Sequence, residues 1–109
     1  PQFLMELRDL GMKDLDVDEY VELRNHDVSA NYIRSMRELG LKDLDVDEWV
    51  ELRNRNVTPR YVRELQEMGF KDFEADELIR LSDHHITKRF IREMRMEYGD
   101  DLTIAQLLE

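Results

Sequence analysis

Aspartates that alternate with apolar residues are the feature of this sequence closest to a metal-binding motif. Asp14, Asp16 and Asp18 have this spacing. It recurs at Asp43, Asp45, Asp47 and, less strictly, at Asp72, Glu74, Asp76. An EF-hand calcium loop opens in the same way, but it requires glycine at its sixth position and a bidentate glutamate at its twelfth. Here the sixth position is Glu19 and the twelfth is Asn25, and the recurrences share this mismatch, so we expect no calcium site.

The same acidic residues suit the first turn of a helix. Asp45 can cap a helix that begins at Val46, and Glu48 stands three residues after the cap, as in a capping box. Asp16 with Glu19 and Glu74 with Glu77 repeat the arrangement. Carboxylates are also favourable near the positive end of the helix dipole. We therefore interpret the motif as a helix start that every repeat needs.

Histidine is the other residue type that could bind a metal, and it occurs at His26, His84 and His85. All three lie near predicted helix ends, where a partial positive charge is favourable. No HExxH sequence or Cys/His spacing accompanies them. The chain also lacks a cysteine nucleophile, a glycine-rich phosphate loop and a Ser/His/Asp set that the repeat would bring together. We predict no catalytic residue, no metal site and no cofactor, and thus a protein that is not an enzyme.

Arginine is the clearest candidate for a binding surface. Arg34, Arg63 and Arg92 occupy one column of the sequence repeat, which is predicted to form a ladder on the outer face of successive helices. Further arginines lie nearby at Arg37, Arg60, Arg89 and Arg95. A basic ladder can bind an acidic peptide or nucleic acid, or it can pair with carboxylates of the chain, such as Glu38 and Glu67. The net charge of −10 favours internal pairing, because the field of the whole protein opposes a polyanion.

A second arginine column is predicted to hold neighbouring units together. Arg24 and Arg53 fall inside the apolar arc of their helices, where a charge must be paired or must extend to the surface. Loop aspartates recur with the same period, at Asp14, Asp43 and Asp72. We predict ion pairs between these arginines and these aspartates. Ser82 replaces the arginine in the third unit, so the pair is in doubt there.

Both arginine columns follow an internal repeat of 29 residues. Leu10-Gly11-Met12-Lys13-Asp14-Leu15 returns as Leu39-Gly40-Leu41-Lys42-Asp43-Leu44 and as Met68-Gly69-Phe70-Lys71-Asp72-Phe73. The units are residues 1–28, 29–57, 58–86 and 87–109, the last being shorter than the others. Pro1 then aligns with Pro59, at the predicted first position of a helix. A fixed period of this length is typical of solenoid proteins.

Each unit contains the signals of two short helices. The first helix begins after an N-cap at Ser29, Thr58 or Thr87 and ends at Gly11, Gly40 or Gly69. In unit four Tyr98 takes the glycine column and Gly99 follows, which predicts a longer helix or a shifted turn. The second helix has the apolar stripe Val46, Trp49, Val50 and Leu52. It is predicted to end at a left-handed residue, Asp27, Asn56 or His85, since these types tolerate positive φ.

Stacking of the units is required because two helices of about ten residues cannot close a core alone. We predict an all-α fold, an α-solenoid of about four two-helix repeats with about eight short helices, in one domain spanning 1–109. The apolar residues Phe3, Leu4, Leu107 and Leu108 belong to the end units and are predicted to be partly exposed. End-to-end self-association is therefore a hypothesis.

Composition favours a soluble helical protein with an acidic surface. Charged residues make up 39% of the 109 residues, which include four glycines and two prolines. Without cysteine no disulfide framework can form, and no apolar run approaches the roughly 20 residues of a membrane span. We expect no membrane binding, little affinity for nucleic acid and a cytoplasmic location.

The units resemble short bacterial repeats of the form GVTPEYIRELRALGYxDLSVDELIxLRIHGV, which occur C-terminal to BlaR-type sensor proteins with M56 metallopeptidase domains. The resemblance covers the whole chain and is carried by residues 57–65 (VTPRYVREL), 43–48 (DLDVDE) and 23–28 (LRNHDV). The glycine of the family's HGV is replaced by Asp27, Asn56 and His85. The chain has no HExxH helix, so the resemblance implies an accessory repeat region without a transferable active site.

Met68-Gly69-Phe70 is similar to the MGF turn of ubiquitin-associated domains. Those domains are compact three-helix modules. The period of 29 residues and the lack of a matched third helix argue against that assignment.

Three functions are consistent with these patterns. The first is a non-catalytic helical-repeat scaffold for protein–protein interaction or spacing. The second is an anion-binding module that uses the column Arg34, Arg63 and Arg92 for an acidic peptide or nucleic acid. The third is an engineered or consensus array without a native ligand, suggested by the near-identity of the two KDLDVDE segments.

Overall fold

Two short helices in each repeat unit form the architecture of this protein. The computed structural model describes residues 2–109, so the predicted position of Pro1 lies outside the described residues. Within that range there are eight helices and no strand. They are α1 (Gln2–Asp9), α2 (Val17–Asn25), α3 (Ala30–Glu38), α4 (Val46–Asn54), α5 (Pro59–Glu67), α6 (Ala75–Asp83), α7 (Lys88–Tyr98) and α8 (Ile104–Leu107). The predicted all-α fold is confirmed.

Helix starts follow the predicted caps. The Ser29 hydroxyl accepts a hydrogen bond from the Tyr32 amide at 3.1 Å. The Asp45 carboxylate accepts from the Glu48 amide at 2.8 Å, while the Asp45 amide donates to the Glu48 carboxylate at 3.0 Å. The alternating aspartates therefore begin helices, as their spacing predicts. In unit four the same column holds Thr103, which caps α8.

Helix ends use left-handed backbone at two repeated positions. Gly40 follows α3 with a φ of 102°, and the Leu41 amide donates to the Met36 carbonyl at 3.1 Å, as in a Schellman turn. The second helices end at Asp27, Asn56 and His85, with φ of 59°, 58° and 54°. These predicted left-handed residues are confirmed. The helix in unit four is longer, as predicted: α7 has 11 residues against nine in α5, and Gly99 follows it.

Helices of the same kind pack in rows. We call α1, α3, α5 and α7 the first helices and α2, α4, α6 and α8 the second helices. In the first row α1 packs on α3 and α3 packs on α5, and in the second row α2 packs on α4 and α4 packs on α6. The array measures 51 × 21 × 18 Å. This row-by-row packing confirms the predicted α-solenoid.

The core is a continuous apolar layer between the two rows. Ile33, Trp49 and Leu52 are among its fully buried side chains, and Val57 and Ile86 anchor the turns between units. No buried polar or charged residue occurs within residues 2–109. Within the same range, no helix has the length and apolar character to cross a membrane.

Candidate interaction surface

The arginine column Arg34, Arg63 and Arg92 lies on exposed positions of α3, α5 and α7. An Arg34 guanidinium nitrogen donates to the Asn31 side-chain oxygen at 2.7 Å, a neutral partner that orients the charge without cancelling it. Across residues 2–109, none of the three arginines forms an ion pair with a carboxylate. The internal pairing that net charge favours is therefore not found, and this part of the sequence interpretation was wrong.

Two arginines near the column have a different role. Arg37 donates to the Leu10 carbonyl at 2.5 Å, and Arg95 donates to the Met68 carbonyl at 2.6 Å. Gln66 occupies the same column in unit three and donates to the Leu39 carbonyl at 2.7 Å. Each acceptor lies at the end of the preceding first helix, where carbonyls have no intrahelical donor. Arg37 and Arg95 thus join units and are not part of the exposed ladder.

The guanidinium of Arg95 also lies over the Phe70 ring, 5.1 Å from its centroid. A cation over an aromatic face is attracted by the ring quadrupole. This contact places Arg95 between α7 and the turn that follows α5, so it adds to the link between units three and four.

The predicted ion pairs of the second arginine column do not form. Within residues 2–109, neither Arg24 nor Arg53 pairs with a loop aspartate. Arg53 instead donates through Nε to the Asp27 carbonyl at 3.0 Å and lies 5.4 Å from the centroid of the Tyr32 ring. Arg53 therefore contacts the neighbouring unit through a backbone carbonyl at the end of α2, and not through the predicted aspartate.

The loop aspartates themselves are exposed, at Asp14, Asp43 and Asp72. Asp43 and Asp72 have φ of 60° and 58°. Aspartate tolerates this left-handed region better than most residues, so their recurrence reflects loop conformation. In unit three Ser82 donates to the Arg55 carbonyl at 2.7 Å, which preserves an inter-unit bond without arginine.

The histidine column also connects neighbouring units. His26 Nδ1 lies 3.1 Å from the Asn54 side-chain oxygen. One unit later, Arg55 replaces the histidine and contacts both carboxylate oxygens of Asp83 at 3.0 Å. In residues 2–109 there is no group of three or more His, Cys, Asp or Glu side chains that could hold a metal ion.

Two tyrosine hydroxyls form hydrogen bonds that link the two helices of a unit. This role was not predicted from the sequence. The Tyr32 hydroxyl donates to the Val57 carbonyl at 2.5 Å, and the Tyr61 hydroxyl donates to the Ile86 carbonyl at 2.6 Å. Burial raises the pKa of each tyrosine to about 12, with Arg53 opposing the shift at Tyr32 and Glu64 adding to it at Tyr61. The sequence signal for this role was that Tyr32 and Tyr61 occupy the same column of the repeat, although phenylalanine would fill the same space without a hydroxyl.

The two rows of helices differ in their balance of charge. Each of α2, α4 and α6 contains three carboxylates and one arginine. By contrast, α7 has four cationic residues and two glutamates. The column of Asp18, Asp47 and Asp76 is exposed on the acidic row. The helices α2, α4 and α6 are thus acidic, whereas the first helices are mixed: α5 has two arginines and two glutamates, and α7 has the largest cationic excess.

An apolar face lies at the N-terminal end of the array. Val17 is 77% exposed, whereas Val46 and Ala75, in the same column, are 7% and 3% exposed. The face contains a groove of about 420 Å³ lined in part by Leu4 and Tyr20. In units two and three, the preceding unit covers the matching positions. This surface is thus the same kind that the units use to pack on each other.

The exposed arginine column and the apolar face have the chemistry of surfaces that bind a partner. The arginine column can bind carboxylates or phosphates through exposed guanidinium groups.

Comparisons with protein families, with curated proteins and with solved structures found no match for this chain. The resemblance to the repeats of bacterial sensor proteins stays a prediction.

Proposed function

We propose that this chain is a non-catalytic helical-repeat module that binds a protein or peptide through Arg34, Arg63 and Arg92. The observation that carries the proposal is the exposure of three arginines at the same position of α3, α5 and α7, where none of the three forms an ion pair with another residue of 2–109. Because the units are joined by side-chain to backbone bonds, the scaffold is ordered before a partner binds. A preorganised surface loses less conformational entropy on binding.

The charge distribution favours a short acidic segment as the partner. The chain has a net charge of −10, and the second helices contribute much of the negative charge. A long polyanion would interact with this field along its whole length, whereas a short segment can bind the arginine column alone. A protein partner with a local acidic stretch fits this distribution.

A charge-reversal variant of the column tests the proposal. Arg34→Glu/Arg63→Glu/Arg92→Glu changes exposed side chains only, so the fold should persist by circular dichroism. The wild-type chain and the variant are immobilised, and proteins captured from a bacterial lysate are quantified by mass spectrometry. We expect at least one protein to be captured by the wild type and lost by the variant.

A matched control uses the exposed lysine column of the same repeat. Lys13→Glu/Lys42→Glu/Lys71→Glu produces the same change in net charge at a different surface. Partners of the arginine column should remain bound to this control. If all three chains capture the same proteins, the proposal is wrong. If none captures a protein, the array behaves as an engineered or consensus repeat without a native ligand.

A second candidate function is a module in which the same column binds nucleic acid phosphates. The unpaired guanidinium groups favour it, and the net charge of −10 opposes it. Titration of the array into a labelled single-stranded oligonucleotide at low ionic strength tests this candidate. Binding that weakens steeply with salt and is lost in the arginine variant would support it. No binding at low salt would remove it.

A further inference from the structure

Met96 of α7 departs from the repeat at an outward-facing position. It occupies the column that holds Glu38 in α3 and Glu67 in α5, and the column is exposed in both of those helices. The Met96 side chain is 88% exposed. Its exposure is therefore a property of the outer face, unlike that of Val17, whose column is buried in α4 and α6.

The methionine changes the surroundings of one arginine of the column. Residues four positions apart are neighbours on a helix surface, with Cβ atoms about 5–6 Å apart. In α3 and α5 the arginine of the column has a glutamate at this distance, Glu38 after Arg34 and Glu67 after Arg63. Arg92 has Met96 instead. An exposed apolar side chain, and not a carboxylate, therefore adjoins Arg92.

The charge balance of α7 favours an anion more than that of the other helices with a column arginine. α7 has four cationic residues and two glutamates, α3 has two arginines and one glutamate, and α5 has two of each. Glu93 of α7 is already engaged with Arg89, at 3.2 Å. Within residues 2–109, Arg92 forms no ion pair. We therefore expect a partner's carboxylate to bind more favourably at Arg92 than elsewhere in the column.

Arg92 and Met96 together offer a charged and an apolar contact on one face of α7. A guanidinium group binds a carboxylate through two parallel hydrogen bonds. A methionine side chain is flexible and polarizable, so it adapts to apolar groups of different shape. A partner that carries only negative charge uses the first contact and leaves Met96 in water. A partner with an apolar side chain beside its carboxylate uses both.

We propose that Arg92 and Met96 are the anchor of the interaction surface and bind an acidic segment with a large apolar side chain next to its carboxylates. This inference rests on the proposed function and adds the preferred position on the array and an apolar requirement for the partner. Arg34 and Arg63 then add weaker charge contacts, because exposed ion pairs contribute little on their own.

Two peptides of equal charge test the apolar requirement. One is fluorescein-labelled Gly-Asp-Glu-Leu-Phe-Glu-Asp-Gly, and the other has Ser-Ser in place of Leu-Phe. Fluorescence anisotropy measures the binding of each to the full chain at low ionic strength. We expect the Leu-Phe peptide to bind about fivefold more tightly, because part of its apolar surface is buried against Met96.

Met96→Gln identifies the contact, since it removes apolar surface without changing the charge. It should bring the affinities of the two peptides within about twofold of each other, while Met96→Leu should keep the preference. An unchanged preference in Met96→Gln would place the Leu-Phe peptide elsewhere, for example on the apolar N-terminal face, and would overturn the inference. Equal binding of both peptides to the wild type would overturn it too.

Met5→Gln is the matched control. Met5 occupies the arginine column in α1 and is 64% exposed, but Asp9 follows it by four residues. α1 contains Arg8 together with Glu6 and Asp9, so its charge balance disfavours an acidic segment. The preference for the Leu-Phe peptide should therefore persist in Met5→Gln, and its loss there would contradict an anchor on α7.

Single arginine variants test the position of the anchor. Arg92→Gln should weaken both peptides more than Arg34→Gln or Arg63→Gln does. Equal effects of the three variants would show that no position of the column is preferred, which contradicts the assignment to α7.

Failure of the inference can be separated from failure of the proposed function. If neither peptide binds, the apolar anchor is rejected, but the proposed function survives when protein capture still depends on the arginine column. If the wild type, the arginine variant and the lysine control capture the same proteins, the proposed function is rejected and the inference fails with it.

Discussion

Arginine side chains of this repeat occupy three environments that depend on their column. Arg34 is exposed and held by an amide, Arg37 donates to the end of a neighbouring helix, and Arg53 lies against an aromatic ring. The long side chain and multiple donors of arginine permit all three. Column position, more than residue type, therefore decides whether an arginine joins units or is available to a partner.

The tyrosine hydroxyls predict a loss of stability at alkaline pH. Tyr32 and Tyr61 have pKa values raised to about 12 in the folded chain, against 10.0 without burial. Their contribution is fully present below pH 10, because both states are then protonated. As pH rises from 10 to 12 the unfolded state loses protons first, so we expect the free energy of unfolding to fall by about 1–2 kcal/mol per tyrosine.

Urea unfolding at several pH values measures this effect. The variant Tyr32→Phe/Tyr61→Phe should be less stable at neutral pH, since two carbonyls lose their donors, and its stability should fall less between pH 10 and 12. Tyr20→Phe is the control, because its ring packs on Phe3 and no hydrogen bond of its hydroxyl occurs within residues 2–109. Parallel pH curves for all chains would contradict the prediction.

At the scale of helices, neighbouring units are joined by donors that reach helix ends. Arg37, Gln66 and Arg95 bond to the carbonyls that follow the preceding first helix. Arg53 and Ser82 do the same between second helices. Because these acceptors recur at every helix C-terminus, different side chains can complete the same contact.

Substitution of Arg37 separates hydrogen bonding from packing. Arg37→Met keeps an unbranched chain but has no donor, and we expect it to lower the free energy of unfolding by about 1–2 kcal/mol. Arg37→Gln should cost less, since Gln66 makes the equivalent bond in the next unit. Chemical denaturation of the three chains provides the comparison. Equal loss in both variants would show that the donor is unimportant.

The left-handed residue after α4 gives a second prediction at this scale. Asn56 has a φ of 58°. Asn56→Ala should lower the free energy of unfolding by about 1 kcal/mol, because alanine tolerates this conformation less well than asparagine. Asn56→Gly should be neutral or stabilising, since glycine has no Cβ to strain. Thermal unfolding of both variants tests the prediction, and equal stability of the two would refute the backbone explanation.

At the scale of the whole molecule, the array is an elongated body with an exposed arginine column, acidic helices α2, α4 and α6, and an apolar end. Its cross-section of 21 × 18 Å limits the area that an end-to-end contact can bury. Stable interfaces bury about 800 Å² on each partner. End-to-end self-association, the hypothesis drawn from the apolar end units, is therefore expected to be weak and to depend on concentration.

Val17→Glu tests that face. The side chain is 77% exposed, so the fold should be unaffected, while a charge on the apolar face should oppose association. Static light scattering across a concentration series should show less association for the variant than for the wild type. Met96→Glu is the control, because Met96 is equally apolar but lies on α7. A strictly monomeric wild type would remove the self-association proposal.

The architecture of this protein was determined by patterns within single units of the sequence. The 29-residue period, the caps at Ser29 and Asp45, and the left-handed exits at Gly40 and Asn56 are local features, and each is confirmed. Caps and turns depend on residues a few positions apart, so their physics is visible in the chain itself. The stacking of units followed because short amphipathic helices cannot bury their apolar faces alone.

Only the tertiary structure decided which acceptor each arginine column contacts. Arg53 had aspartates of matching period in the sequence, yet it bonds to the Asp27 carbonyl, because packing of α4 on α2 brings that helix end within reach. Backbone acceptors are present at every residue, so sequence patterns cannot distinguish them from one another. The outer-face position of Arg34 was predicted from the sequence, but packing decided that it forms no ion pair within residues 2–109, since the position of neighbouring helices determines which charges find partners.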